Sequence, residues 1–207
     1  MLSNAFRQLT LNLKTLSYLG VTVVGSAEFE VKVRVSDIDL ERVFSKLTLL
    51  GFTKEGEVLE EDHYFDLRGC PGYRQGTVLR FRKVSTGSTV EYRLTYKGVI
   101  AYEGIKARDE LEVSLPDDRV LEVLKLVGFR DLVVRKKRTY FNRAGFKVSI
   151  DEVECLGRFL EFEEVNPPSV ESFLAKVRDV LNSLGIPSSK LITESYLELY
   201  LRQGCYT

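Results

Sequence analysis

The first residues in the chain that could do chemistry form an ExExK pattern, made by Glu28, Glu30 and Lys32. Side chains on a β-strand alternate between two faces, so these three charged groups would share one face of a strand. The other face would carry the apolar residues of the same run, which are Phe29, Val31, Val33 and Val35. The sequence therefore predicts an amphipathic strand with a charged polar face.

The same segregation of charge onto one face recurs in later segments that alternate like strands. The basic sets are Arg80 with Arg82, Arg93 with Lys97, and Lys136 with Arg138; Glu161 shares a face with Glu163, and Glu110 and Glu112 share a face with Arg108. The solvated face of an antiparallel sheet would explain any one of these strands. It does not explain why acidic and basic sets occupy different strands, because a solvated face has no need to separate them.

A barrel with its charged faces turned inward would bring these carboxylates and cations into one enclosed volume. Buried charges of like sign are costly unless they are paired or bound to a group of opposite sign. Arginine and lysine match phosphate oxygens, and aspartate and glutamate match a hard divalent cation. A metal-bound polyphosphate would satisfy both sets of charges.

The composition fits one globular domain without a general affinity for nucleic acid. The chain has 207 residues, of which 44% are hydrophobic and 29% are charged, and this balance is typical of a folded domain. Its 30 acidic and 30 basic residues give a net charge of zero. We therefore expect no nucleic-acid partner, because a basic surface is the usual electrostatic sign of one.

The cysteines and the single histidine restrict the kinds of site that the chain can build. Cys70, Cys155 and Cys205 are odd in number and scattered, with no CxxC pair. This spacing argues against a disulfide framework or a zinc site and favours a reducing, cytoplasmic compartment. His63 is the one histidine, and its position in the alternation is opposite to that of Asp62, so we expect it to point away from the charged face.

Residues 1–26 are interpreted as an N-terminal extension before a single domain at 27–207. The apolar run from Leu16 to Val24 is too short to span a bilayer, so no membrane partner is expected. The run resembles a signal peptide, but a strand that begins at Ala27 argues against cleavage there. A packing extension, or a start codon placed upstream, is the preferred interpretation.

Periodicity and turn residues predict eight strands and four helices. The strands are expected at 27–35, 53–66, 77–84, 89–97, 106–115, 130–142, 145–154 and 157–165, and the helices at 38–50, 117–127, 169–184 and 193–202. Gly51-Phe52 and Gly128-Phe129 each follow a helix between two strands, which hints at two halves of four strands. The predicted fold class is α+β, a closed eight-stranded antiparallel β-barrel with a charged lumen and helices packed outside.

The chain resembles the CYTH, or triphosphate tunnel metalloenzyme, superfamily, which includes class IV adenylyl cyclases and thiamine triphosphatases. The resemblance runs from Glu28 to about Leu201, and ExExK is its hallmark. The further matching segments are Asp62–Asp66, Leu79–Arg82, Leu94–Gly98, Arg108–Glu112, Lys136–Arg138, Ile150–Val153, Leu156–Glu163 and Ser195–Leu199. Many motifs in the family's order make this resemblance much more specific than ExExK alone.

The resemblance implies a metal site and a triphosphate site in one tunnel. The implied ligands of Mg²⁺ or Mn²⁺ are Glu28, Glu30, Asp151, Glu161 and Glu163. The implied triphosphate-binding residues are Lys32, Arg80, Arg82, Lys97, Arg108, Lys136 and Arg138, of which Lys32, Arg80, Lys97 and Arg138 are taken as catalytic. Glu110 and Glu112 are left open between metal binding and ion pairs that hold the arginines.

The same tunnel could serve three functions. Metal-dependent hydrolysis of a small-molecule triphosphate is the first expectation, because water is the easier nucleophile to supply. The alternative is a class IV adenylyl cyclase that makes cyclic AMP and pyrophosphate from ATP, as the spacing from Asp151 to Glu161 and Glu163 suggests, although the loop at 67–76 does not match that group's base-recognition pattern. The third is a non-catalytic polyphosphate- or nucleotide-binding module, against which the two full charge sets argue. Some family members dimerise, so a homodimer is included among the expected assemblies.

Overall fold

The computed structural model describes residues 26–35, 39–98, 100–102 and 105–205. Within these ranges, the side chains of residues 26, 27, 100–102 and 105–109 are outside the description. The predicted N-terminal extension, apart from Ser26, also lies outside the described residues.

The described residues form nine strands, four α-helices and one 3₁₀ helix at Ser188–Lys190. The strands are β1 Ser26–Arg34, β2 Thr53–Phe65, β3 Val78–Thr86, β4 Thr89–Lys97, β5 Ile100–Tyr102, β6 Ile105–Leu115, β7 Asp131–Arg143, β8 Phe146–Val153 and β9 Gly157–Val165. The helices are α1 Leu40–Leu49, α2 Arg119–Leu126, α3 Val170–Leu184 and α4 Tyr196–Gln203. All eight predicted strands and all four predicted helices are present with small shifts at their ends, whereas β5 and the 3₁₀ helix were not predicted.

The strands form one curled antiparallel sheet. Their order is β1-β9-β8-β7-β2-β3-β4-β6-β5, and β1 pairs in addition with β6. In that additional pairing Ser26 lies opposite Glu110, and Glu30 lies opposite Lys106. This curled antiparallel sheet with helices agrees with the predicted α+β class.

Helices α1 and α3 cover the apolar face of the ExExK strand. Val31 and Val33 on β1 are buried in one core cluster with Val43 on α1 and with Phe173 and Val177 on α3. Burial of a valine or phenylalanine side chain contributes roughly 1.5–3 kcal/mol relative to exposure. This packing fixes β1 with its apolar side chains under the helices, and the alternation then turns the charged side chains to the opposite face.

The segment that contains α4 packs against one end of the sheet. Tyr196 and Leu199 on this helix are buried in a second cluster with Val134 and Phe159. Lys32 and Ile192 exchange backbone hydrogen bonds of 3.0 and 2.7 Å just before the helix begins. The C-terminal segment is therefore anchored to the ExExK strand by its backbone as well as by its apolar side chains.

The expectation that the cysteines form no disulfide is wrong for one pair. Cys155, in the turn between β8 and β9, is bonded to Cys205, just after α4. These residues are 50 positions apart in the sequence, and they meet because α4 packs across that end of the sheet. Spacing along the chain could not show this proximity.

Candidate functional site

The charged faces of the strands line one cavity of about 530 Å³. Its carboxylates are Glu28, Glu30, Glu110, Glu112, Glu161 and Glu163. Its cations are Arg80, Arg82, Arg93, Lys97, Lys136, Arg138 and Lys147. Among the described side chains, six carboxylates and seven cations therefore line one cavity. Charges that the sequence separates onto different strands thus come into close contact with opposite charges in space.

The register between β1 and β9 joins the ExExK strand to an acidic strand. Glu30 lies opposite Glu163, and Lys32 lies opposite Glu161. Strand alternation puts all four side chains on the same face of the sheet. This pairing brings three carboxylates and one lysine together on one face of the sheet.

Lys32 is a fully buried cation held by carboxylates. Its ammonium group contacts Glu30 and lies 3.1 Å from Glu161 Oε2, and it donates to the carbonyl oxygen of Glu194 at 3.1 Å. Burial alone would lower the pKa of Lys32, but the negative charges of Glu30 and Glu161 outweigh it and raise that pKa above its ordinary value. Lys32 is therefore charged at neutral pH.

Arg138 is the second cation that the carboxylates enclose. Its Nε and Nη2 atoms donate to the two oxygens of Asp151 at 2.6 and 2.5 Å, and its guanidinium also contacts Glu161 and Glu163. The Tyr196 hydroxyl donates to Asp151 at 2.6 Å. Asp151 is fully buried, and it therefore holds Arg138 and α4 together.

Lys97 is the cation at the other side of the ExExK carboxylates. Its ammonium lies 2.8 Å from Glu28 Oε2 and 3.1 Å from Glu110 Oε2. Arg108 lies opposite Glu28 in the β1–β6 pairing, but its side chain is outside the described part of the chain.

Two carboxylates in this cavity, Glu110 and Glu163, are crowded enough to resist ionisation. Burial and the nearby Glu28 carboxylate raise the pKa of Glu163 well above its ordinary value. Burial also raises the pKa of Glu110 to about 7, with Lys97 opposing the shift and Glu28 adding to it. Crowded carboxylate oxygens of this kind are a donor set that a hard divalent cation would stabilise.

The metal-type side chains are not arranged as a ready-made ion site. Among the described residues, no group of three or more His, Cys, Asp or Glu side chains is placed to hold a metal ion. The implied ligands are instead paired with cations, as Glu28 is with Lys97 and Glu30 is with Lys32. The residues thus fit a divalent cation in chemistry, provided that the cations transfer to another anion when the metal binds.

A basic wall formed by β3 and β7 faces the cavity from the other side. Arg82 and Lys136 are buried there, and two carboxylates from β2, Glu60 and Asp62, lie against them. Neither carboxylate was among the predicted site residues. Their shared face with Tyr64 in the strand alternation was the available signal, but β2 also carries Glu55, Glu57 and Glu61 on the opposite face.

Arg80 differs from its neighbours because its charge is only loosely neutralised. Its guanidinium lies 3.9 Å from both Asp62 Oδ2 and Glu110 Oε1, and it donates to Thr95 at 3.3 Å. Within the described part of the chain, its buried Nε has no hydrogen-bond partner. A buried donor left without a partner costs roughly 1–3 kcal/mol, so an anionic oxygen at this position would be stabilising.

Arg93 and Lys147 also line the cavity, although neither was predicted as a site residue. Arg93 shares the face of Lys97 in the strand alternation, which was the signal for it. It lies 2.9 Å from Glu91 and 3.4 Å from Glu112. Glu110 and Glu112 are thus both in ion pairs here, with Lys97 and Arg93 respectively, and the choice between the two roles stays open.

His63 is separate from this cavity but is more constrained than the sequence indicated. It is buried, with Nδ1 at 2.6 Å from Asp131 and Nε2 at 3.1 Å from Glu61. Its ring also packs against Phe81. His63 therefore belongs to a polar cluster on the face of β2 that does not carry Asp62.

Comparisons with known proteins place the chain in a family. The CYTH domain model matches residues 26–196, and the chain belongs to the CYTH family. A curated protein of Methanocaldococcus jannaschii, named "putative adenylate cyclase", is 31% identical over 178 residues, which are 83% of this chain and 97% of the relative.

Solved structures with the same fold extend the comparison. A Pyrococcus horikoshii OT3 protein has a TM-score of 0.72 at 30% identity, and the match covers 85% of this chain and 99% of that one. A Hippeastrum protein, described as a "putative adenylyl cyclase" with a dominant triphosphatase activity, has a TM-score of 0.56 at 18% identity, with 86% and 96% of the two chains covered. The last likeness concerns the fold alone. No helix among the described residues is long and apolar enough to cross a membrane.

Proposed function

We propose that this protein is a divalent-metal-dependent enzyme that hydrolyses a small-molecule triphosphate. The triphosphate binds in the cavity, which forms a closed, charged tunnel. The observation that carries the proposal is the near balance of six carboxylates and seven cations among the described side chains that line this one cavity. An anion alone would be repelled by the carboxylates, and a metal ion alone would be repelled by the cations. A triphosphate with its metal ion matches both.

Binding of the metal-bound triphosphate would exchange the partners of existing ion pairs. Phosphate oxygens would replace the carboxylates that pair with Lys32, Lys97 and Arg138 in the free protein. The carboxylates released in this way, Glu28, Glu30, Glu161 and Glu163, would hold Mg²⁺ or Mn²⁺, with Asp151 supporting Arg138 next to them. The metal ion would polarise phosphoryl oxygens and neutralise part of their charge.

Arg80 would supply the stabilisation that grows during phosphoryl transfer. Its guanidinium is already buried in the wall and its Nε has no hydrogen-bond partner among the described residues. A preorganised donor of this kind stabilises developing charge without the cost of reorganisation. Arg82 and Lys136 would bind the remaining phosphate oxygens from the same wall.

Adenylyl cyclase activity is the second candidate. The specific observation in its favour is the name of the M. jannaschii relative, which is 31% identical over 97% of its own length. The binding of the triphosphate would be the same in both reactions. The nucleophile would differ, being water in hydrolysis and the ribose 3′-hydroxyl in cyclisation.

The products distinguish the candidates. We would incubate the purified protein separately with ATP, thiamine triphosphate and inorganic triphosphate, each with Mg²⁺ or Mn²⁺, and follow the reaction by ³¹P NMR. Orthophosphate together with a diphosphate supports hydrolysis, and cyclic AMP with pyrophosphate supports the cyclase. Binding without turnover under all six conditions would contradict both and favour the non-catalytic module.

A further inference from the structure

Two buried carboxylates on β2 belong to neither the metal-binding nor the triphosphate-binding set. Asp62 is fully buried and Glu60 is 2% exposed. A carboxylate at this depth is very costly unless cations and hydrogen-bond donors surround it. The groups that surround these two are cations of the proposed triphosphate site.

Asp62 and Arg82 form a bidentate ion pair. Its Oδ1 accepts from Arg82 Nε at 2.6 Å, and its Oδ2 accepts from Arg82 Nη2 at 2.7 Å. A bidentate contact between a guanidinium and a carboxylate fixes the plane of the guanidinium as well as its position. The same Oδ2 atom lies 3.3 Å from Lys136 Nζ and accepts a 3.3 Å hydrogen bond from Tyr64.

Glu60 completes the enclosure from the neighbouring position on that face. Its Oε2 lies 3.0 Å from Arg82 Nη1 and 2.9 Å from Lys136 Nζ. Its Oε1 accepts a 2.6 Å hydrogen bond from the Tyr140 hydroxyl. Each nitrogen of the Arg82 guanidinium therefore faces a carboxylate oxygen, whereas Arg80 meets carboxylates only at 3.9 Å.

We propose that Glu60 and Asp62 are positioning residues, which hold Arg82 and Lys136 at fixed places in the cavity wall and leave Arg80 as the loosely neutralised cation for the substrate. The inference rests on the proposed function, because positioning has meaning only toward a bound anion. The two negative charges of Glu60 and Asp62 face the three positive charges of Arg80, Arg82 and Lys136, so an excess of positive charge remains. That excess attracts an anion, and the two carboxylates reduce the repulsion among the three cations.

The proposal predicts opposite effects on binding and on turnover. Asp62→Asn removes a negative charge from the wall, so the affinity for an anion should stay equal or increase. It also frees the Arg82 guanidinium to rotate, and a misplacement of about 1 Å in a catalytic site can lower the rate by about 10²-fold. A purely structural role would instead reduce the folded fraction, and the number of binding sites would fall with the rate.

Glu61→Gln is the matched control for Asp62→Asn. Glu61 is the adjacent residue on the same strand and also accepts from an arginine, Arg135 Nε, at 2.6 Å. Its side chain lies on the opposite face and is partly exposed. The two substitutions thus remove the same kind of contact, inside the cavity in one case and outside it in the other.

The experiment measures kcat and KM with the triphosphate that the wild type turns over, together with the stoichiometry of inorganic triphosphate binding by calorimetry. We expect Asp62→Asn to lower kcat by about 10²-fold at full stoichiometry with unchanged or tighter binding, and Glu61→Gln to leave all three values unchanged. In the Arg82→Gln background, Asp62→Asn should lower kcat little further, because both changes remove one interaction. The proposal would be overturned if the effects of Asp62→Asn and Arg82→Gln on kcat multiplied fully in the double variant. It would also be overturned if the stoichiometry of triphosphate binding fell in proportion to kcat.

A measurement on the wild type keeps the test independent of turnover and of how the variants fold. With ¹⁵N-labelled arginine, the Arg82 Nε–H, which Asp62 holds, should exchange slowly with water both before and after inorganic triphosphate is added, whereas the Arg80 signal should shift. Rapid exchange at Arg82 in the free protein would overturn the positioning role. Absence of wild-type turnover with slow exchange at Arg82 would instead contradict the proposed function and leave the positioning contact established.

Discussion

The Tyr196 hydroxyl donates a 2.6 Å hydrogen bond to Asp151, and this contact joins the C-terminal helix to the carboxylate that holds Arg138. Lys32 and Lys136 lie 5.0 and 5.3 Å from the centre of the same tyrosine ring. One side chain of α4 therefore contacts cations from the ExExK strand and from the basic wall. The C-terminal segment is part of the site's framework as well as a cover for the end of the sheet.

Tyr196→Phe tests this connection by removing the hydroxyl and keeping the ring. Because a hydrogen bond to a charged group contributes roughly 1.5–3 kcal/mol, we expect the free energy of unfolding to fall by about that amount. Urea denaturation measures it. Tyr200→Phe on the same helix is the control, because Tyr200 is also buried but is not the tyrosine that donates to Asp151, and equal losses in the two variants would contradict the account.

Arg80→Gln tests the role of the loosely held arginine. Its loss should lower kcat by about 10³-fold or more, which is the lower end of the range for an arginine that stabilises the transition state of phosphoryl transfer. Stability should change little or improve, since the variant removes a buried charge with poor contacts. Steady-state kinetics and thermal melting test both expectations, with Arg135→Gln on the exposed face as control, and a kcat within threefold of the wild type would refute the assignment.

The buried ion pairs of β2 predict a pH dependence of stability. Burial opposes ionisation of Asp62, but Arg82 and Lys136 outweigh it and hold the pKa of Asp62 well below its ordinary value. A pKa that is lower in the folded state than in the unfolded state stabilises the fold above the unfolded value, about 3.9 for Asp, and this stabilisation is lost as the pH falls through the folded value.

Asp62→Asn should therefore lower the free energy of unfolding most at neutral pH. The expected loss is about 3–5 kcal/mol, as for other buried ion pairs from which one partner is removed. The difference in the free energy of unfolding between the variant and the wild type should shrink as the pH falls below about 4. In that range Asp62 becomes protonated in the unfolded wild type while it stays ionised in the folded protein. Urea denaturation at pH 7 and pH 3.5 measures the two differences. A gap of the same size at both values would show that the carboxylate charge contributes nothing.

Strand alternation predicted the face of a residue well but not its partners. It placed Glu30 and Lys32 correctly on one charged face, because the period of two depends only on local backbone geometry. It could not show that Lys32 meets Glu161, since that contact depends on the register between β1 and β9. The resemblance to the family supplied the order of the motifs, and the register supplied the contacts.

The features that the sequence did not reveal depend on tertiary packing or on very short elements. β5 spans three residues, which is too short for a period to be recognised. The Cys155–Cys205 bond depends on where α4 packs. Glu60 and Asp62 were hidden because β2 carries acidic residues on both of its faces, and only burial tells the two sets apart.

The central claim is that a metal ion and a triphosphate share this cavity, and metal-dependent turnover tests it most directly. We would measure triphosphate turnover after removal of metal with EDTA and again after addition of Mg²⁺ or Mn²⁺, for the wild type, for the double variant Glu30→Gln with Glu161→Gln, and for Glu57→Gln on the exposed face. The account predicts no turnover with EDTA, full recovery with metal in the wild type and in Glu57→Gln, and no recovery in the double variant, which should still bind triphosphate. Turnover that persists in EDTA, or that returns in the double variant, would contradict it.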